Sequence, residues 1–504
     1  MQKKLKDGVR LMQDKRSTYS AEMLQGLLWG IAAGVPLLLI LFSYLNQTWS
    51  WGLMDDVSIL STGSGVMERY GLYFKALCNW GVFRPTFVMH SAIFYSLFEK
   101  APGFFHIFKW LEIVLTLCIW GWAVARISER RSAALLFAAI ALSFHYFYDG
   151  FFFLSTHETY GLFFLGLAVH VVIGLLKAVI RGNVFSGRLL AGSFILLLLL
   201  LFLSFGSKET FISGGLALGV GLAACFLWGK GAGYHRLAMT GLAIFFIALV
   251  YGVIVKLLVG HGYSAGYSFT DLHRIRGNCV AWGIKDFSNH LPWLVAAGFI
   301  FLRAHRVEAE APVQGEYGVL GKWGILSGAA LYGFFLLLLL PWNATSYYAG
   351  PLGVFFAFFM AIAMAPRLAR ACRVTIVIGI CALVLNVCVA QYALNREMLY
   401  HYDTGNLMSW IEGNGGFQDA ARKGTVYTNA MEPGAAVPLL MNRAQGFGFK
   451  IFMFRSDLAA ALTLPGNVYY LYSPRFGNID THGLKGLQTG FYSKYWQVYR
   501  REAQ

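Results

Sequence analysis

Residues 24–45 read LQGLLWGIAAGVPLLLILFSYL, an apolar run that is long enough, as a helix, to cross the roughly 30 Å of hydrocarbon in a bilayer. The run follows a basic N-terminal segment that includes Lys3, Arg10 and Arg16. It is too long for the core of a signal peptide, and no small-residue cleavage site follows it. We therefore expect it to remain in the membrane as the first transmembrane helix.

The composition of the whole chain is typical of a membrane protein. Of its 504 residues, 57% are hydrophobic and 13% are charged, whereas soluble domains have about 25% charged residues. The net charge of +16 does not indicate nucleic acid as a partner. The Lys and Arg residues lie mostly in short loops between apolar runs, and they form no compact basic stripe.

Ten further apolar runs follow the first one, and every second loop between them is rich in Lys or Arg. This alternation predicts a polytopic α-helical membrane protein with about eleven transmembrane helices, an N-terminus in the cytoplasm and a C-terminus outside. We expect the bacterial inner (cytoplasmic) membrane, because the chain has no eukaryotic retention signal. The runs are 108–125, 133–148, 157–176, 189–205, 211–229, 237–258, 291–303, 322–340, 349–366 and 374–394.

Two domains are predicted, a transmembrane domain over 1–395 and a small α/β domain outside the membrane over 396–504. The transmembrane domain would carry two large outer segments, 46–107 and 259–290. The tail has short β-type runs and helix-compatible stretches separated by Gly and Pro. The β-type runs are Thr425–Thr428, Lys450–Phe454, Val468–Tyr472 and Trp496–Arg500, and the helical stretches are Phe417–Arg422 and Asp457–Leu462.

An acidic pair, Asp55 and Asp56, lies in the first outer segment. Adjacent carboxylates repel each other, so one of them can have a raised pKa and act as a general base. The alternative is a helix cap or a solvated loop acid.

Basic and acidic residues near two predicted span ends are candidates for binding a phosphate. Arg84 precedes Pro85, which suits the first turn of a helix, and His90 follows on the same segment. Lys208 and Glu209 lie between two apolar runs with almost no loop. The alternatives are an interfacial Arg anchor and a self-contained Lys208–Glu209 ion pair.

A third group, Asp149 with His157 and Glu158, lies in the predicted outer loop between spans three and four. Histidine beside carboxylates can bind a divalent metal ion, which is the cofactor that this group predicts. The alternative is an acid that caps the following helix.

Two later outer segments add further candidates. One segment has alternating basic residues, His273, Arg274 and Arg276. They could bind the anionic head group of a lipid carrier, and the alternative is an ordinary amphipathic surface loop. Tyr347 and Tyr348 are either interfacial aromatic residues or a platform for a sugar ring.

All of these groups fall on the predicted outer face, whereas capping and anchoring residues should occur on both faces. A carboxylate that takes a hydroxyl proton, together with fixed cations that stabilise a departing phosphate, provides the groups that glycosyl transfer requires.

The order of these motifs resembles the GT-C class of lipid-dependent glycosyltransferases, such as aminoarabinose transferases and protein O-mannosyltransferases. The similarity covers the topology of 1–395 and the tail more loosely. Its motifs are Asp55–Asp56, the Arg84–Phe87 segment and the helix after it, His157–Glu158, Ser207–Thr210, and Tyr347–Pro351. The class more often has a Lys and two prolines where this chain has Arg84, Pro85 and Thr86.

The resemblance implies an inverting transfer from a polyprenyl-phosphate sugar to a lipid or glycan acceptor of the cell envelope. Asp55 would be the base, with Asp56 as second choice, and the tail would position the acceptor. The other roles expected are donor-phosphate binding by Arg84, Lys208, Arg274 and Arg276, a substrate or metal site at His157, Glu158 and Glu209, and sugar stacking by Tyr347 and Tyr348.

Three other classes stay open on the sequence alone. An O-antigen ligase or polymerase would depend on His273, Arg274 and Arg276 rather than on Asp55. A transporter or lipid flippase would have charges near the bilayer midplane and inverted repeats. A non-catalytic assembly scaffold would have dispensable outer acids.

Overall fold

The computed structural model is described over most of the membrane domain and over part of the tail. The described residues are 2–46, 63–79, 81–98, 102–154, 157–182, 187–229, 231–259, 271–305, 316–341, 349–368, 372–423, 426–428, 451–453, 468–472 and 488–501.

The chain is predominantly helical, with a small sheet near its end. The helices are α1 (Gln2–Asn46), α2 (Val66–Asn79), α3 (Pro85–Phe98), α4 (Pro102–Ser128), α5 (Arg131–Ala141), α6 (His145–Phe147), α7 (His157–Ile180), α8 (Gly187–Phe205), α9 (Ile212–Ala223), α10 (Ala232–Val259), α11 (Leu272–His305), α12 (Glu316–Leu339), α13 (Gly350–Met364), α14 (Cys372–Gly413) and α15 (Gly415–Lys423). A π-helical segment, Tyr148–Leu154, continues α6, and a 3₁₀ turn, Glu209–Phe211, precedes α9.

Eight helical segments within the described residues are long and apolar enough to cross a membrane, and each overlaps a predicted run. The chain is therefore a polytopic α-helical membrane protein. The eight segments are Glu22–Asn46, Gly103–Ser128, Glu158–Ile180, Glu209–Leu227, Ala232–Leu258, Gly318–Leu339, Gly350–Arg367 and Arg373–Leu399.

The other three predicted spans differ from simple transmembrane helices. The run 133–148 is broken, because α5 and the segment after it meet at 85°. The apolar part of α8, Leu190–Phe205, is shorter than the other spans. Helix α11 begins at Leu272, well before the predicted start at 291, and Pro292 lies inside it.

Two side-chain hydroxyl groups donate hydrogen bonds to backbone carbonyl groups at the break after α5. The Ser143 hydroxyl donates to the carbonyl of Ile140 at 2.7 Å, and the Tyr148 hydroxyl donates to the carbonyl of Leu142 at 2.9 Å. Such partners are needed because an unsatisfied carbonyl inside a bundle costs about 1–3 kcal/mol.

Polar side chains also join distant helices inside the bundle. The Asn386 amide on α14 donates to the carbonyls of Ala32 on α1 at 2.9 Å and of Ala139 on α5 at 3.0 Å. The Gln25 amide donates to the carbonyl of Leu368 at 3.0 Å. These bonds bring the first and last spans together, as interhelical amide bonds commonly do in membrane proteins.

Four of the five strands in the tail coincide with predicted β-type runs. Strands β1 (Val426–Thr428), β2 (Ile451–Met453), β3 (Val468–Tyr472), β4 (Gln488–Tyr492) and β5 (Gln497–Arg501) form one mixed sheet in the order β2-β1-β3-β5-β4. Strand β4 was not predicted. Strand β1 is parallel to β2 and β3, and β5 is antiparallel to β3 and β4. The predicted helical stretch Asp457–Leu462 lies outside the described residues.

Helix α14 connects the membrane domain to this sheet without interruption through residues 395–396. The carboxylate of Asp403 on α14 accepts a bond from the backbone N–H of Tyr495 at 3.0 Å. The ring of Phe417 on α15 packs edge-on against Tyr469 of β3, with 5.2 Å between ring centroids. One continuous helix therefore serves as the last span and as part of the packing of the tail.

Helices α9 and α10 pack closely because glycine backbones face each other. A Cβ atom at Gly219 would lie 2.8 Å from the carbonyl oxygen of Gly241, and one at Gly241 would lie 2.5 Å from the backbone nitrogen of Ala223. Small residues allow this approach in membrane bundles.

We predict that Gly219→Ala and Gly241→Ala each destabilise the protein by about 1–3 kcal/mol, because the added methyl group meets backbone atoms that cannot rotate away. Thermal unfolding in detergent measures the effect. A methyl group at the exposed Gly192 on α8 would have no packing neighbour within 4 Å, so Gly192→Ala is the matched control. Equal midpoints for all three variants would contradict the close packing.

Candidate functional site

The segment before α3 docks onto the connection between α8 and α9. The backbone N–H of Phe83 donates to Glu209 Oε1 at 2.9 Å, and Arg84 Nε donates to Glu209 Oε2 at 3.0 Å. The backbone N–H of Thr86 donates to the carbonyl of Gly206 at 3.0 Å. The predicted helix start at Pro85 is confirmed, and its position places Arg84 against the end of a transmembrane helix.

Lys208 forms a buried ion pair with Glu158, the second residue of α7. Both side chains are almost completely inaccessible, at 3% and 0% exposure. Burial lowers the pKa of the Lys208 ammonium below its ordinary value, Glu158 opposes that shift, and the nearby Arg84 guanidinium adds to it. Arg84 and Lys208 are therefore two like charges close to each other.

The alternative of a self-contained Lys208–Glu209 pair is wrong, since each residue pairs with a different segment. The backbone of Lys208 is extended, with φ −161° and ψ 139°, and consecutive side chains on extended backbone point in opposite directions. Glu158 lies in the first turn of α7, as the alternative of a helix-capping acid requires, and its fully buried side chain also pairs with Lys208.

A second buried lysine, Lys109 on α4, joins this group. Its side chain is 2% exposed, and it interacts electrostatically with Glu112, Glu158 and Glu397. Lys109 was not predicted from the sequence, because it lies at the start of a predicted span. The signal was a Lys and a Glu three residues apart inside an apolar helix, where charged residues are rare.

Asp149 on the π-helical segment pairs with Arg396 on α14, and Arg396 also contacts the carboxylate of Glu397 at 3.1 Å. Asp149 was expected beside His157 in a metal site, and its observed partner is instead a guanidinium. Arg396 and Glu397 were missed because the predicted domain boundary fell at 395–396.

A third contact group surrounds Glu112 on α4. His90 Nε2 lies 2.8 Å from Glu112 Oε1, and the Tyr160 hydroxyl donates to Glu112 Oε2 at 2.8 Å. His90 was a candidate for phosphate binding, but in the structure its imidazole contacts the carboxylate of Glu112.

Together these residues form one ion cluster at a single end of the helix bundle. The starts of α4 and α7, the end of α8 and the C-terminal end of the last span all meet there. The cluster contains the cations Arg84, Lys109, Lys208 and Arg396 and the carboxylates Glu112, Asp149, Glu158, Glu209 and Glu397.

The remaining predicted residues are not brought into the cluster by any contact among the described residues. Asp55, Asp56, Tyr347 and Tyr348 lie outside the described ranges, and so does the side chain of His157. His273 and Arg276 are exposed on the first turns of α11. The backbone N–H of Arg274 donates to Asp271 Oδ1 at 3.0 Å, as in a helix cap.

The predicted metal ion stays a prediction, because the side chain of His157, one of its expected ligands, lies outside the described residues. Within the described ranges, no three His, Cys, Asp or Glu residues are arranged to hold a metal ion. The carboxylates of Asp149, Glu158 and Glu209 each contact a lysine or arginine instead.

Comparison with known proteins gave no relative: no protein-family model matches the chain, and no curated protein matches it. The fold and the cluster define a polytopic helical membrane protein with a buried ionic centre at one end of its bundle.

We predict that the Lys208–Glu158 pair contributes to folding and that Glu158 matters more, because it faces both Lys208 and Lys109. Lys208→Met should destabilise the protein by about 3–5 kcal/mol, since it leaves a buried carboxylate short of a cation. Glu158→Leu should cost more than Lys208→Met. Thermal unfolding in detergent gives the order of stability.

The matched control is Lys256→Met, because Lys256 is exposed near the end of α10. Its effect should stay within about 0.5 kcal/mol. The double variant Lys208→Met with Glu158→Leu should be less destabilised than the sum of the single variants. Additive effects, or a larger loss for Lys208→Met, would contradict the shared role of Glu158.

Proposed function

We propose that this protein is a membrane glycosyltransferase that moves a sugar from a polyprenyl-phosphate donor to a lipid or glycan acceptor on the extracytoplasmic face. The observation that carries the proposal is the pair of cations Arg84 and Lys208, which come from separate segments and interact electrostatically at one end of the bundle. Each cation is paired with a carboxylate in the free protein, and two cations so close together can also attract the phosphate of a lipid at a membrane surface.

The leaving group of the reaction explains why both cations are needed. When the bond between the sugar and the donor phosphate breaks, negative charge develops on the phosphate oxygens. A guanidinium binds phosphate through two parallel N–H bonds, and a lysine adds a point charge. In the free protein, Glu209 and Glu158 hold Arg84 and Lys208 in place.

The base of the proposed reaction is Asp55, with Asp56 as second choice. Helix α1 ends at Asn46, and the chain is described again from Gly63. The carbonyl of Gly63 accepts a bond from Arg69 Nε at 2.9 Å, and Arg69 Nη1 donates to Ser96 on α3 at 2.8 Å. The described chain that follows the two acids is therefore bonded to the helix that follows Arg84, and this connection supports the proposal of Asp55 as the base.

A transporter or lipid flippase is the second candidate, and the 85° break after α5 favours it. Broken helices form substrate sites in many secondary transporters. The two classes differ in their product, because a transporter moves the donor unchanged and a transferase releases polyprenyl phosphate. An O-antigen ligase or polymerase stays a further alternative, and the contact described near its basic residues on α11 is the bond from the backbone N–H of Arg274 to Asp271.

We predict that the purified protein in liposomes releases polyprenyl phosphate from one member of a panel of polyprenyl-phosphate monosaccharides supplied with an envelope lipid extract. Arg84→Gln should lower this rate by about 10²-fold, because a fixed charge on the leaving phosphate is lost. Asp55→Asn should remove the activity while the protein stays folded in detergent.

Arg130→Gln is the matched control, since Arg130 pairs with Glu22 at the opposite end of the bundle at 3.2 Å. Its release rate should equal that of the unmodified protein. Movement of intact donor across the bilayer without release would support the transporter, and full activity of Arg84→Gln would contradict the proposed phosphate site.

We also propose that the cluster end faces the outside and that the N-terminus is cytoplasmic, as the basic loops indicate. In a cysteine-free background, Asn79→Cys at the end of α2 should react with a membrane-impermeant maleimide in intact spheroplasts. His235→Cys, at the start of α10, should react only after lysis. Both side chains are exposed, so the reverse labelling pattern would overturn the orientation.

A further inference from the structure

Helices α4 and α7 lie side by side and run in the same direction. The Tyr160 hydroxyl on α7 donates to the carboxylate of Glu112 on α4 at 2.8 Å. Further along both helices, His170 Nε2 donates to the carbonyl of Ile119 at 2.9 Å. The first of these contacts belongs to the ion cluster, so the C-terminal ends of α4 and α7 lie towards the other end of the bundle.

Two cations, Arg126 on α4 and Lys177 on α7, lie at a similar level near these C-terminal ends. Each is two helical turns beyond one partner of the contact between Ile119 and His170. Helix α4 has 27 residues, so its length is about 40 Å, and a span centred on the roughly 30 Å of hydrocarbon extends about 5 Å beyond it on each side. Because Arg126 is in the last turn of α4, its backbone lies at the level of lipid head groups.

The guanidinium of Arg126 is held by neutral groups. Its Nη1 donates to His170 Nδ1 at 3.1 Å and to the carbonyl of His170 at 3.3 Å. A guanidinium can only donate and a carbonyl can only accept, so the ring of His170 carries its proton on Nε2, towards Ile119, and accepts from Arg126 on Nδ1. This neutral ring fixes the direction of the guanidinium and does not offset its charge.

Acidic partners are missing from both cations within the described part of the chain. No described carboxylate forms an ion pair with Arg126 or Lys177. Glu129, the acid nearest to Arg126 in sequence, follows the end of α4 and is exposed. The hydrogen bonds of Arg126 to described residues use Nη1 alone, so Nε and Nη2 have donors to offer a ligand. A cation at membrane depth normally has an anionic partner.

The surface beside these cations has open space and an exposed aromatic ring. Trp122, one turn before Arg126, is 62% exposed, and its ring centroid lies 5.8 Å from the guanidinium carbon and 4.7 Å from the ring of His170. On α7, Gly174 lies between His170 and Lys177 on one helix face. A Cβ atom at Gly174 would meet no heavy atom within 4 Å. The missing side chain therefore leaves room for a ligand between the two helices.

We propose that this surface binds the phosphate of an anionic phospholipid from the surrounding leaflet. We call it the basic strip, and it consists of Trp122, Arg126, His170, Gly174 and Lys177. Two cations without described acidic partners attract a head group with net negative charge, and a guanidinium donates parallel N–H bonds to phosphate oxygens.

The occupant is a lipid rather than a free phosphate because apolar surface continues from the strip. Leu115, two turns before Trp122 on the same face of α4, is 54% exposed, so an acyl chain of the bound lipid has a side chain to pack on. The inference does not depend on the proposed function, since the basic strip lies away from the ion cluster.

The first test is the binding of phosphatidylglycerol to the purified full-length protein in detergent, measured by native mass spectrometry. Arg126→Gln should raise the Kd of the tightest bound lipid by about tenfold, because charge-assisted bonds to the phosphate are lost. Lys177→Gln should raise it by about fivefold, the effect of one cation near a lipid surface. Arg236→Gln, which removes an exposed arginine near the start of α10, is the matched control and should leave the Kd unchanged.

A second pair of variants tests the site without removing a charge. Gly174→Leu fills the open space, so it should prevent tight binding of phosphatidylglycerol while the thermal unfolding midpoint without lipid stays that of the unmodified protein. Gly192→Leu on α8 is the control, because a Cβ atom at Gly192 also has no packing neighbour within 4 Å. This pair decides the question if Arg126→Gln does not fold.

The identity of the ligand gives the last comparison. Phosphatidylcholine, whose head group has no net charge, should bind about tenfold more weakly than phosphatidylglycerol. Glycerol phosphate, which has the phosphate without acyl chains, should not displace the bound lipid. Equal Kd values for the unmodified protein and Gly174→Leu, or for it and a folded Arg126→Gln, would overturn the proposal. Equal binding of the two lipids, or displacement by glycerol phosphate, would also overturn it.

Discussion

The carboxylate of Glu158 is fully buried at the start of a transmembrane helix, and the ionic centre of the protein depends on it. A charged group in that position is costly unless cations surround it. Lys208 supplies one cation from the connection between two other helices, and Lys109 supplies a second from α4. Each lysine is also buried, so Glu158 is one of the carboxylates that favour its charged form. Three separate helical segments therefore meet at this point.

The other contacts at this end of the bundle extend from that centre. Arg84 lies beside Lys208 and is held by Glu209, which brings the helix Pro85–Phe98 onto the bundle. Lys109 connects Glu158 to Glu112 and Glu397, and these carboxylates contact His90 and Arg396. In a medium of low effective dielectric, such a network is rigid and polarised, so an anion that enters it finds preorganised partners. The proposed release of polyprenyl phosphate relies on such preorganisation.

Much of the fold was predictable from local sequence. Eight of the predicted spans are present because a helix that crosses a bilayer needs a long apolar run, and that property belongs to the segment itself. The helix at Pro85–Phe98 was predicted for a similar reason, since Pro suits the first turn of a helix. The broken span at 133–148 was not predictable. Its composition is as apolar as that of a straight helix, and the bend is supported by the bonds of Ser143 and Tyr148.

The sequence by itself determined that this chain is a polytopic helical membrane protein and that polar residues collect at the ends of certain spans. Hydropathy and loop charge are properties of short segments, so they can be determined from the sequence without knowledge of the fold. Only the tertiary structure decided which charged residues form ion pairs with each other. Lys208 and Glu209 are neighbours in the chain, but they pair with Glu158 and Arg84 because extended backbone turns their side chains apart. Local sequence marks Lys109 and His90 as polar residues in apolar surroundings, but only packing between helices brings them into the same centre.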